Sequence, residues 1–349
     1  MPFSPAEGSH KPTIISQKKQ FYPIGKSLRA YLQSYDRSPI ALPCQYADLQ
    51  RHSFSMPLFD KAGKDTLWET VYYTDTDRNE IYPALTTIYA ILKAAGNTSV
   101  MQHLYVDRVD YCTFGNSNPF RIKIVNKYND NYDYFYIKIA DASRVYGLEL
   151  EHILSPNRIN YLVWGNTLIE EHIAGIPGDQ FIATYLKKDV PVNETRIAKE
   201  FIKFNERCLV RLLGDMRAYN FVIDITPDFD DIQYRIRAID FDQQCYEGRK
   251  NVYLPQFFKE NYPFVELCIR RMTPESIRQY QSEERALIGH RILASRDQLA
   301  DLTDIMITDE LSLSQKVEQL RGELADHYQN SAYEKAQTMG EILRLSLYL

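Results

Sequence analysis

Three polar side chains lie where apolar runs of this chain begin or end. Their oxygen atoms could bind a metal ion or orient a proton. Asp215 follows a Gly at the end of a long apolar segment, and Asn220 directly precedes the apolar run Phe221–Ile225. Asp240 closes the next apolar run, Arg235–Ile239. Phosphoryl transfer relies on positioning and cations more than on covalent chemistry. Three groups meet that requirement. One acid orients an acceptor hydroxyl, and an Asn and a second acid hold Mg²⁺ through hard oxygen ligands.

A buried helix followed by a strand pair would bring these side chains together. The segment Glu194–Leu213 is apolar over much of its surface, which is typical of a buried helix. The segments Phe221–Ile225 and Tyr234–Ile239 have the length and composition of strands and are predicted to pair. The loop between helix and hairpin then places the first acid and the amide close to the second acid.

The preceding part of the chain is rich in predicted strands, because apolar runs alternate with clusters of Gly, Asn, Asp and Pro. The predicted strands are Leu104–Phe114, Phe120–Tyr128, Asp133–Ala140, Ile159–Trp164 and Thr167–Ile173. A helix with an apolar stripe is predicted at Ser143–Leu154. Another is predicted at Tyr82–Ala95, with Pro83 in its first turn, and a strand is expected near Leu67–Tyr73.

This order of elements predicts an α+β fold with two lobes, a small antiparallel β-rich lobe followed by a helical lobe. Residues 1–100 are interpreted as an N-terminal extension, made of a loose arm and the first helix. Residues 101–175 are assigned to the β-rich lobe and residues 176–349 to the helical lobe. Ser314–His327 is one of the helices expected in the latter.

The catalytic segment resembles the protein-kinase-like superfamily. Asp-x-x-x-x-Asn, a strand pair and Ile-Asp-Phe are similar to the catalytic and metal-binding loops of that superfamily, and the resemblance covers roughly residues 104–250. The Gly-Asp start and the Ile-Asp-Phe-Asp end look closer to the aminoglycoside phosphotransferase and choline kinase branch. The resemblance implies that Asp215 is the catalytic acid, with Asn220 and Asp240 as metal ligands. Asp242 is a candidate for a further metal ligand.

A lysine upstream fits the same resemblance. Lys138 lies on the third predicted strand and resembles the strand lysine that contacts the ATP phosphates and pairs with a helix glutamate. The partner is expected on the helix at 143–154, where Glu149 and Glu151 are the candidates. Glu149 is nearer in angle to the apolar stripe and is therefore the preferred partner.

Two connections occupy the positions where kinase-like folds hold the nucleotide. The turn at Gly115 stands in the place of the phosphate-covering loop, with a single Gly, and a plain hairpin turn explains it equally well. The segment from Glu171 to Ile173 is similar to the hinge that offers backbone groups to adenine. Arg217, two residues after Asp215, could bind the γ-phosphate or form a structural ion pair, and both alternatives stay open.

Bulk composition narrows the range of partners and compartments. A net charge of −5 gives no electrostatic case for nucleic acid or for an anionic membrane. The five cysteines are odd in number and lack metal-ligand spacing, so neither a disulfide framework nor a zinc site is expected. The first twenty residues contain no signal-type apolar run and no stretch has the length of a membrane span. The cytoplasm is therefore the expected compartment.

These observations predict an ATP- and Mg²⁺-dependent phosphotransferase acting on a hydroxyl. A small-molecule acceptor is preferred to a protein, because apolar helical segments after Asp242 could enclose a pocket beside Asp215. Two alternatives remain: a catalytically inactive kinase-like scaffold that binds a nucleotide or a partner, and a nucleotidyl transferase on the same fold.

Overall fold

The computed structural model describes residues 19–60, 62–94, 97, 102–113, 117–187, 191–227 and 232–348. Its N-terminal part contains an antiparallel sheet, whose strands are β1 (Phe54–Phe59), β2 (Asp65–Tyr72), β3 (Leu104–Cys112), β4 (Phe120–Asn126), β5 (Tyr132–Ile139), β6 (Tyr161–Trp164) and β7 (Thr167–Glu171). Within the described ranges the sheet has seven strands in the order β1-β2-β3-β4-β5-β7-β6. The predicted strands from residue 104 to 173 are thus present, with ends that differ by a few residues.

Four helices accompany this sheet in the described part of the chain: α1 (Lys26–Ser34), α2 (Tyr46–Leu49), α3 (Asp75–Ala94) and α4 (Ala142–Leu154). The strand expected near Leu67–Tyr73 is β2, and the helix expected at Ser143–Leu154 is α4. Residues 54–72, which the sequence placed in an extension, form β1 and β2 of the same sheet. Residues 1–18 of the predicted arm lie outside the described residues.

The prediction that a helix starts at Tyr82 with Pro83 in its first turn was wrong. Helix α3 begins at Asp75 and contains Pro83 in its interior. Its start is fixed by the Thr74 hydroxyl, which accepts the Asp77 N–H at 3.2 Å and donates to the Asp77 carboxylate at 2.7 Å. Pro83 is tolerated because the Asn79 carbonyl that loses a hydrogen bond belongs to an exposed residue.

Hydrophobic alternation explains why the sheet buries one core against α3. Phe120, Ile122 and Ile124 of β4 are buried and alternate with partly exposed residues, as period-two side-chain placement requires. They join a cluster that includes Leu85 and Ile88 of α3. The other face of the sheet turns toward α4 and the C-terminal part.

Helix α4 is enclosed almost completely. All of its residues except His152 are buried, and the Asp141 carboxylate caps its start by accepting the Arg144 N–H at 3.2 Å. Burial on every side means that each polar side chain on α4 must have a partner inside the protein.

The C-terminal part is helical around a small second sheet. Its helices are α5 (Gly178–Phe181), α6 (Glu194–Arg211), α7 (Tyr262–Arg271), α8 (Pro274–Ala294), α9 (Arg296–Thr308), α10 (Ser314–Tyr328) and α11 (Met339–Leu347). The short strands β8 (Ile176–Pro177), β9 (Phe221–Pro227) and β10 (Ile232–Ala238) pair in the order β10-β9-β8. The predicted buried helix and strand pair are α6 and β9–β10. A β-rich N-terminal part and a helical C-terminal part give the expected α+β architecture.

Candidate functional site

A cavity of about 510 Å³ separates the large sheet from the C-terminal part. It falls in the size range of small-molecule sites, roughly 300–1,000 Å³. Lys138 of β5 lines it from the sheet, while Asp215, Asn220, Asp240 and Asp242 line it from the C-terminal part. These five residues, all singled out in the sequence, therefore meet in one cleft.

Backbone geometry at the end of α6 fixes the position of Asp215. Leu212 ends the helix in a left-handed conformation with φ of 52°, and Asp215 adopts φ of 58°. The Asp215 N–H donates to the Val252 carbonyl at 3.0 Å. A non-glycine residue in this conformation carries a backbone strain of order 1–3 kcal/mol, which the surrounding contacts must outweigh. The turn is thereby held in one conformation, with the carboxylate facing the cleft.

Asn220 and Asp240 are joined through the β9–β10 hairpin. Asn220 precedes β9, and its carbonyl accepts the Ile239 N–H at 3.0 Å. Its side-chain amide donates to the Asp215 carbonyl at 2.8 Å. That bond directs the amide nitrogen toward the Asp215 turn, and among the described residues no hydrogen bond uses the Asn220 Oδ1 atom. The hairpin therefore brings Asn220 and Asp240 together, because the two residues flank its paired strands.

Arg217 forms an ion pair, which is one of the two alternatives that the sequence left open. Its Nε donates to Asp215 Oδ1 at 2.8 Å and its Nη1 to Glu260 Oε1 at 3.0 Å. The guanidinium lies over the Phe258 ring at 4.9 Å. The side chains of Asp215 and Arg217 are each about a third exposed, at 32% and 34%. Arg217 thus orients the Asp215 carboxylate at the edge of the cleft.

The expected pairing of Lys138 with Glu149 or Glu151 was wrong. Lys138 Nζ donates to Glu170 of β7 at 2.6 Å, and both side chains are almost fully buried. Lys138 lies opposite Leu168 in the β5–β7 register, so Glu170 is its diagonal neighbour on the same face of the sheet. A strand carboxylate takes the place that the resemblance assigned to a helix carboxylate.

Neither Glu149 nor Glu151 is among the described residues that line the cleft. Glu149 is fully buried and accepts hydrogen bonds from Tyr31 at 2.9 Å and Gln298 at 2.7 Å, and from Arg37 and Tyr161. Glu151 pairs with Arg211 of α6. Glu151 is close to Arg144 in angle but lies about 10 Å farther along the helix. For Glu149, helical geometry explains the error, because successive residues turn by about 100° around the axis. Glu149 therefore points about 140° away from Arg144, the α4 residue that faces the cleft.

Arg144 is the basic centre of the cleft, and the sequence analysis did not identify it. Its Nη1 donates to Asp240 Oδ1 at 2.9 Å and to Asp242 Oδ1 at 2.7 Å. Its Nε and Nη2 both donate to Glu170. One guanidinium therefore links the sheet carboxylate to both acids that follow β10. The available signal was an arginine in the first turn of a helix whose other residues are mostly apolar.

Burial and neighbouring charges shift the pKa values of these groups in opposite directions. Burial, opposed by Arg217, raises the pKa of Asp215 above its usual value. Burial and the nearby Asp242 charge raise the pKa of Asp240. Burial would also raise the pKa of Asp242, but Arg144 and Lys138 outweigh it and lower that pKa. Two neighbouring carboxylates thus differ in proton affinity because one holds the arginine more closely.

Burial, reinforced by the Arg144 charge, lowers the pKa of Lys138. Glu170 opposes that effect. For Glu170 itself, burial acts to raise the pKa, yet Arg144 and Lys138 together lower it below the usual value. The cleft therefore holds Glu170 as a carboxylate between two cations.

Aromatic and apolar side chains line the other end of the cavity. Tyr136 precedes Lys138 by two residues on β5 and shares its face, and its hydroxyl lies 3.2 Å from His172 Nδ1. Burial raises the pKa of Tyr136 to about 12, so the ring stays neutral. Trp68 of β2 adds a second ring from the segment assigned to an extension. The sequence analysis missed both rings, although strand periodicity placed Tyr136 on the Lys138 face.

The predicted hinge segment borders this aromatic end. Glu171 and Ile173 both line the cavity. The Glu171 N–H already donates to the Asn160 carbonyl at 3.0 Å. The Glu171 carboxylate accepts a hydrogen bond from Lys93 Nζ at 2.9 Å. Among the described residues, no hydrogen bond uses the Ile173 N–H. Gly115, predicted to cover the phosphates, lies outside the described residues.

The donor set of the cleft fits a divalent cation of the Mg²⁺ type. In the part of the chain that the structure describes, no group of three or more His, Cys, Asp or Glu side chains is arranged to hold a metal ion. A site made of the Asp240 carboxylate and the Asn220 amide contains only one side chain of those four types, so it is not such a group. Asp240 Oδ2 and Asn220 Oδ1 have no hydrogen-bond partner among the described residues, and the Asp240 side chain is 35% exposed at the cleft. Both are oxygen ligands of the kind that Mg²⁺ prefers.

No protein-family model matches the chain, and a search of curated proteins gave no match. Among solved structures, the chain is similar to the autoinhibited serine kinase domain of the giant muscle protein titin, at 13% identity. That alignment covers 70% of this chain and 92% of the other, with a TM-score of 0.27. Titin kinase with its flanking domains aligns at 11% identity over 71% and 55% of the two chains, with a TM-score of 0.24.

Similarity at that level carries no argument about activity, so the case for function depends on the cleft itself. Among the described residues, no helix has the length and apolar character needed to cross a membrane.

Proposed function

We propose that this chain is an ATP- and Mg²⁺-dependent phosphotransferase that moves the γ-phosphate to a hydroxyl group, preferably that of a small molecule. The observation that supports it most is the convergence of Asp215, Asn220 and Asp240 on one side of a cleft whose other side carries Lys138. Phosphoryl transfer requires an acceptor-orienting acid, oxygen ligands for a metal ion and a cation for phosphate in one place.

The roles of the residues follow from their surroundings. Asp215 would orient the acceptor hydroxyl and accept its proton, because its raised pKa makes it a better base than an ordinary Asp. Asn220 and Asp240 would hold Mg²⁺, which neutralises charge on the phosphates when bound. Lys138, fixed by Glu170, would contact phosphate oxygens. The rings of Tyr136 and Trp68 would pack against the nucleobase.

The wall beside Asp215 favours a small acceptor. Three single-turn helices, Lys250–Tyr253, Pro255–Phe257 and Lys259–Asn261, follow the metal-ligand segment. They are tied to the catalytic turn, since Val252 accepts the Asp215 N–H and the Asn261 amide donates to the Met216 carbonyl at 2.8 Å. Helices packed against this turn would restrict the space on one side of Asp215, which a folded protein substrate would need to enter.

A metabolite survey tests the proposal. The protein is incubated with Mg-ATP and a fractionated extract of small metabolites, and ³¹P NMR follows the products. Release of ADP with a new phosphate monoester is expected. Transfer of AMP to an acceptor would instead identify a nucleotidyl transferase. An Asp215→Ala variant, checked for folding by circular dichroism, is the control and should give no new phosphorus signal.

One observation favours a second candidate, a nucleotide- or partner-binding scaffold without transfer activity. Arg144 occupies one oxygen of both Asp240 and Asp242, and a cation in that position opposes the binding of a metal ion. Calorimetry separates the candidates together with the survey above. A scaffold would bind ATP, with or without Mg²⁺, and yield no product with any acceptor fraction.

A further inference from the structure

The position of Arg144 between Asp240 and Asp242 bears on how many metal ions the cleft accepts. Its Nη1 lies within 2.9 Å of one carboxylate and 2.7 Å of the other. The Asp242 N–H also donates to Asp240 Oδ1 at 3.1 Å. These contacts occupy the Oδ1 atom of both carboxylates, so an ion that bridged those two oxygens would have to displace Arg144.

The remainder of the guanidinium is fixed, so Arg144 cannot leave easily. Its Nε and Nη2 form a two-point contact with Glu170, and its side chain is only 2% exposed. Two-point contacts between arginine and a carboxylate are both strong and geometrically defined. Glu170 is in turn held by Lys138. The arginine is therefore anchored from the sheet and extends toward the two aspartates.

The two aspartates differ in their access to the cleft. The Asp242 side chain is 13% exposed, against 35% for Asp240. Asp242 also has the shorter contact with Arg144. Each aspartate uses Oδ1 for Arg144, and among the described residues no hydrogen bond uses the Oδ2 atom of either or the Oδ1 atom of Asn220. Both aspartates thus contact the arginine and line the cavity, and Asp240 is the more accessible of the two.

We propose that Arg144 is a built-in cation that reserves Asp242 for itself and restricts the cleft to one divalent ion, bound by Asp240 and Asn220. Arg144 is then a positioning residue that sets metal stoichiometry, and Asp242 serves Arg144 instead of binding metal. This inference depends on the proposed metal-dependent function. It differs from the sequence analysis, which placed Asp242 among the metal ligands.

The test measures Mn²⁺ binding without nucleotide, by the loss of the free-ion electron paramagnetic resonance signal. The wild-type protein should bind one ion weakly. Arg144→Gln should bind Mn²⁺ at least about tenfold more tightly and accept a second ion, because removing a neighbouring unit charge changes the cation affinity of a carboxylate by roughly ten- to a thousandfold. Arg211→Gln is the matched control, since Arg211 is equally buried and pairs with Glu151 outside the cleft. It should leave Mn²⁺ binding unchanged.

A double-mutant cycle isolates the role of Asp242. In the Arg144→Gln background, Asp242→Asn should remove the gained affinity and the second ion. In the wild-type background the same change should have a clearly smaller effect. Equal effects in both backgrounds, or weaker Mn²⁺ binding by Arg144→Gln than by wild type, would overturn the proposal.

Two further measurements keep the result interpretable. If Arg144→Gln does not fold, Arg144→Lys retains the charge but replaces the planar guanidinium by a point cation. Because the charge is kept, Mn²⁺ affinity and stoichiometry should stay near the wild-type values, and a gain as large as that expected of Arg144→Gln would count against the proposal. Calorimetry of wild type with Mg-ATP tests the proposed function separately. Nucleotide binding combined with no effect of Arg144→Gln rejects this inference alone, and no nucleotide binding at millimolar ATP rejects the function.

Discussion

Glu170→Gln probes the charge arrangement that the structure places in the cleft. Glu170 is the carboxylate on which two buried cations, Lys138 and Arg144, converge. The amide keeps the shape of the side chain and removes its charge. Lys138 and Arg144 then lie near each other without the anion that separates them, while Asp240 and Asp242 compensate Arg144 only in part.

The expected loss follows from burial. The side chains of Lys138, Glu170 and Arg144 are 9%, 5% and 2% exposed, so solvent screens their interaction little. Removing one partner of a buried ion pair typically costs about 3–5 kcal/mol, because the remaining charge stays uncompensated. The remaining aspartates reduce this, so we expect a loss of about 3 kcal/mol in the free energy of unfolding.

The same change should lower nucleotide affinity. Burial and Arg144 already lower the Lys138 pKa, and Glu170 opposes that effect. Without Glu170 the pKa of Lys138 falls further, so the lysine is less charged near neutral pH and contacts phosphate less well. Affinity for Mg-ATP should therefore recover as the pH is lowered, since protonation restores the cation. Urea denaturation measures stability, and calorimetry at several pH values measures affinity.

Glu149→Gln is the matched control. Glu149 is as deeply buried and receives hydrogen bonds from Tyr31, Arg37 and two other residues, but it lies outside the cleft. It should destabilise the protein and leave Mg-ATP affinity unchanged. A stability loss below about 1 kcal/mol for Glu170→Gln, or equal losses of ATP affinity in both variants, would refute the reasoning.

Three further predictions concern the division of labour in the cleft. Asp240→Ala should lose most metal-dependent ATP affinity, whereas Asp215→Ala should retain ATP binding and lose phosphoryl transfer. Calorimetry measures the binding and ³¹P NMR measures the transfer. If Asp215→Ala folds but no longer binds ATP, the roles assigned to Asp215 and Asp240 are wrong. Arg217→Met should move the acid limb of kcat/KM to higher pH, because Asp215 loses the cation that opposes its raised pKa; an unmoved limb would contradict this. Tyr136→Ala should weaken ATP binding by roughly tenfold, given about 1–3 kcal/mol for stacking a base on an aromatic ring, while the exposed Tyr132→Ala should not.

The strands and the catalytic segment could be predicted because their signals are local in the sequence. Phe120, Ile122 and Ile124 alternate with more exposed residues, which is enough to identify β4. Asn220 and Asp240 flank the two strands of one hairpin, so a prediction of the hairpin already brings them together. The start of α3 was also signalled locally, by Thr74 and Asp77, but Pro83 was taken as a start instead of an interior residue.

The partner of Lys138 could not be read from the sequence, because it depends on the register between β5 and β7. Those strands are separated by a helix and another strand, and a shift of one residue would turn Glu170 to the opposite face. Which side of α4 faces the cleft was also undetermined, since the helix is buried all round and has no polar side to mark solvent. Both errors therefore concern tertiary orientation, whereas α4, β5 and β7 were themselves predicted, with ends that differ by one or two residues.

The charge inventory of the cleft explains why a proposed nucleotide site would need a metal ion. Around Arg144, two cations, Lys138 and Arg144, face three carboxylates, Glu170, Asp240 and Asp242, so negative charge exceeds positive charge by one in this cluster. Asp215 and Glu171 also line the cleft, and each is paired with a cation of its own, Arg217 and Lys93 respectively. A polyphosphate entering this cleft would meet net repulsion at short range, where low-dielectric surroundings strengthen it. A divalent ion bound on the open side of Asp240 reverses the sign of the excess. In a cleft with this balance, metal binding and nucleotide binding reinforce each other, because each supplies the charge that the other lacks.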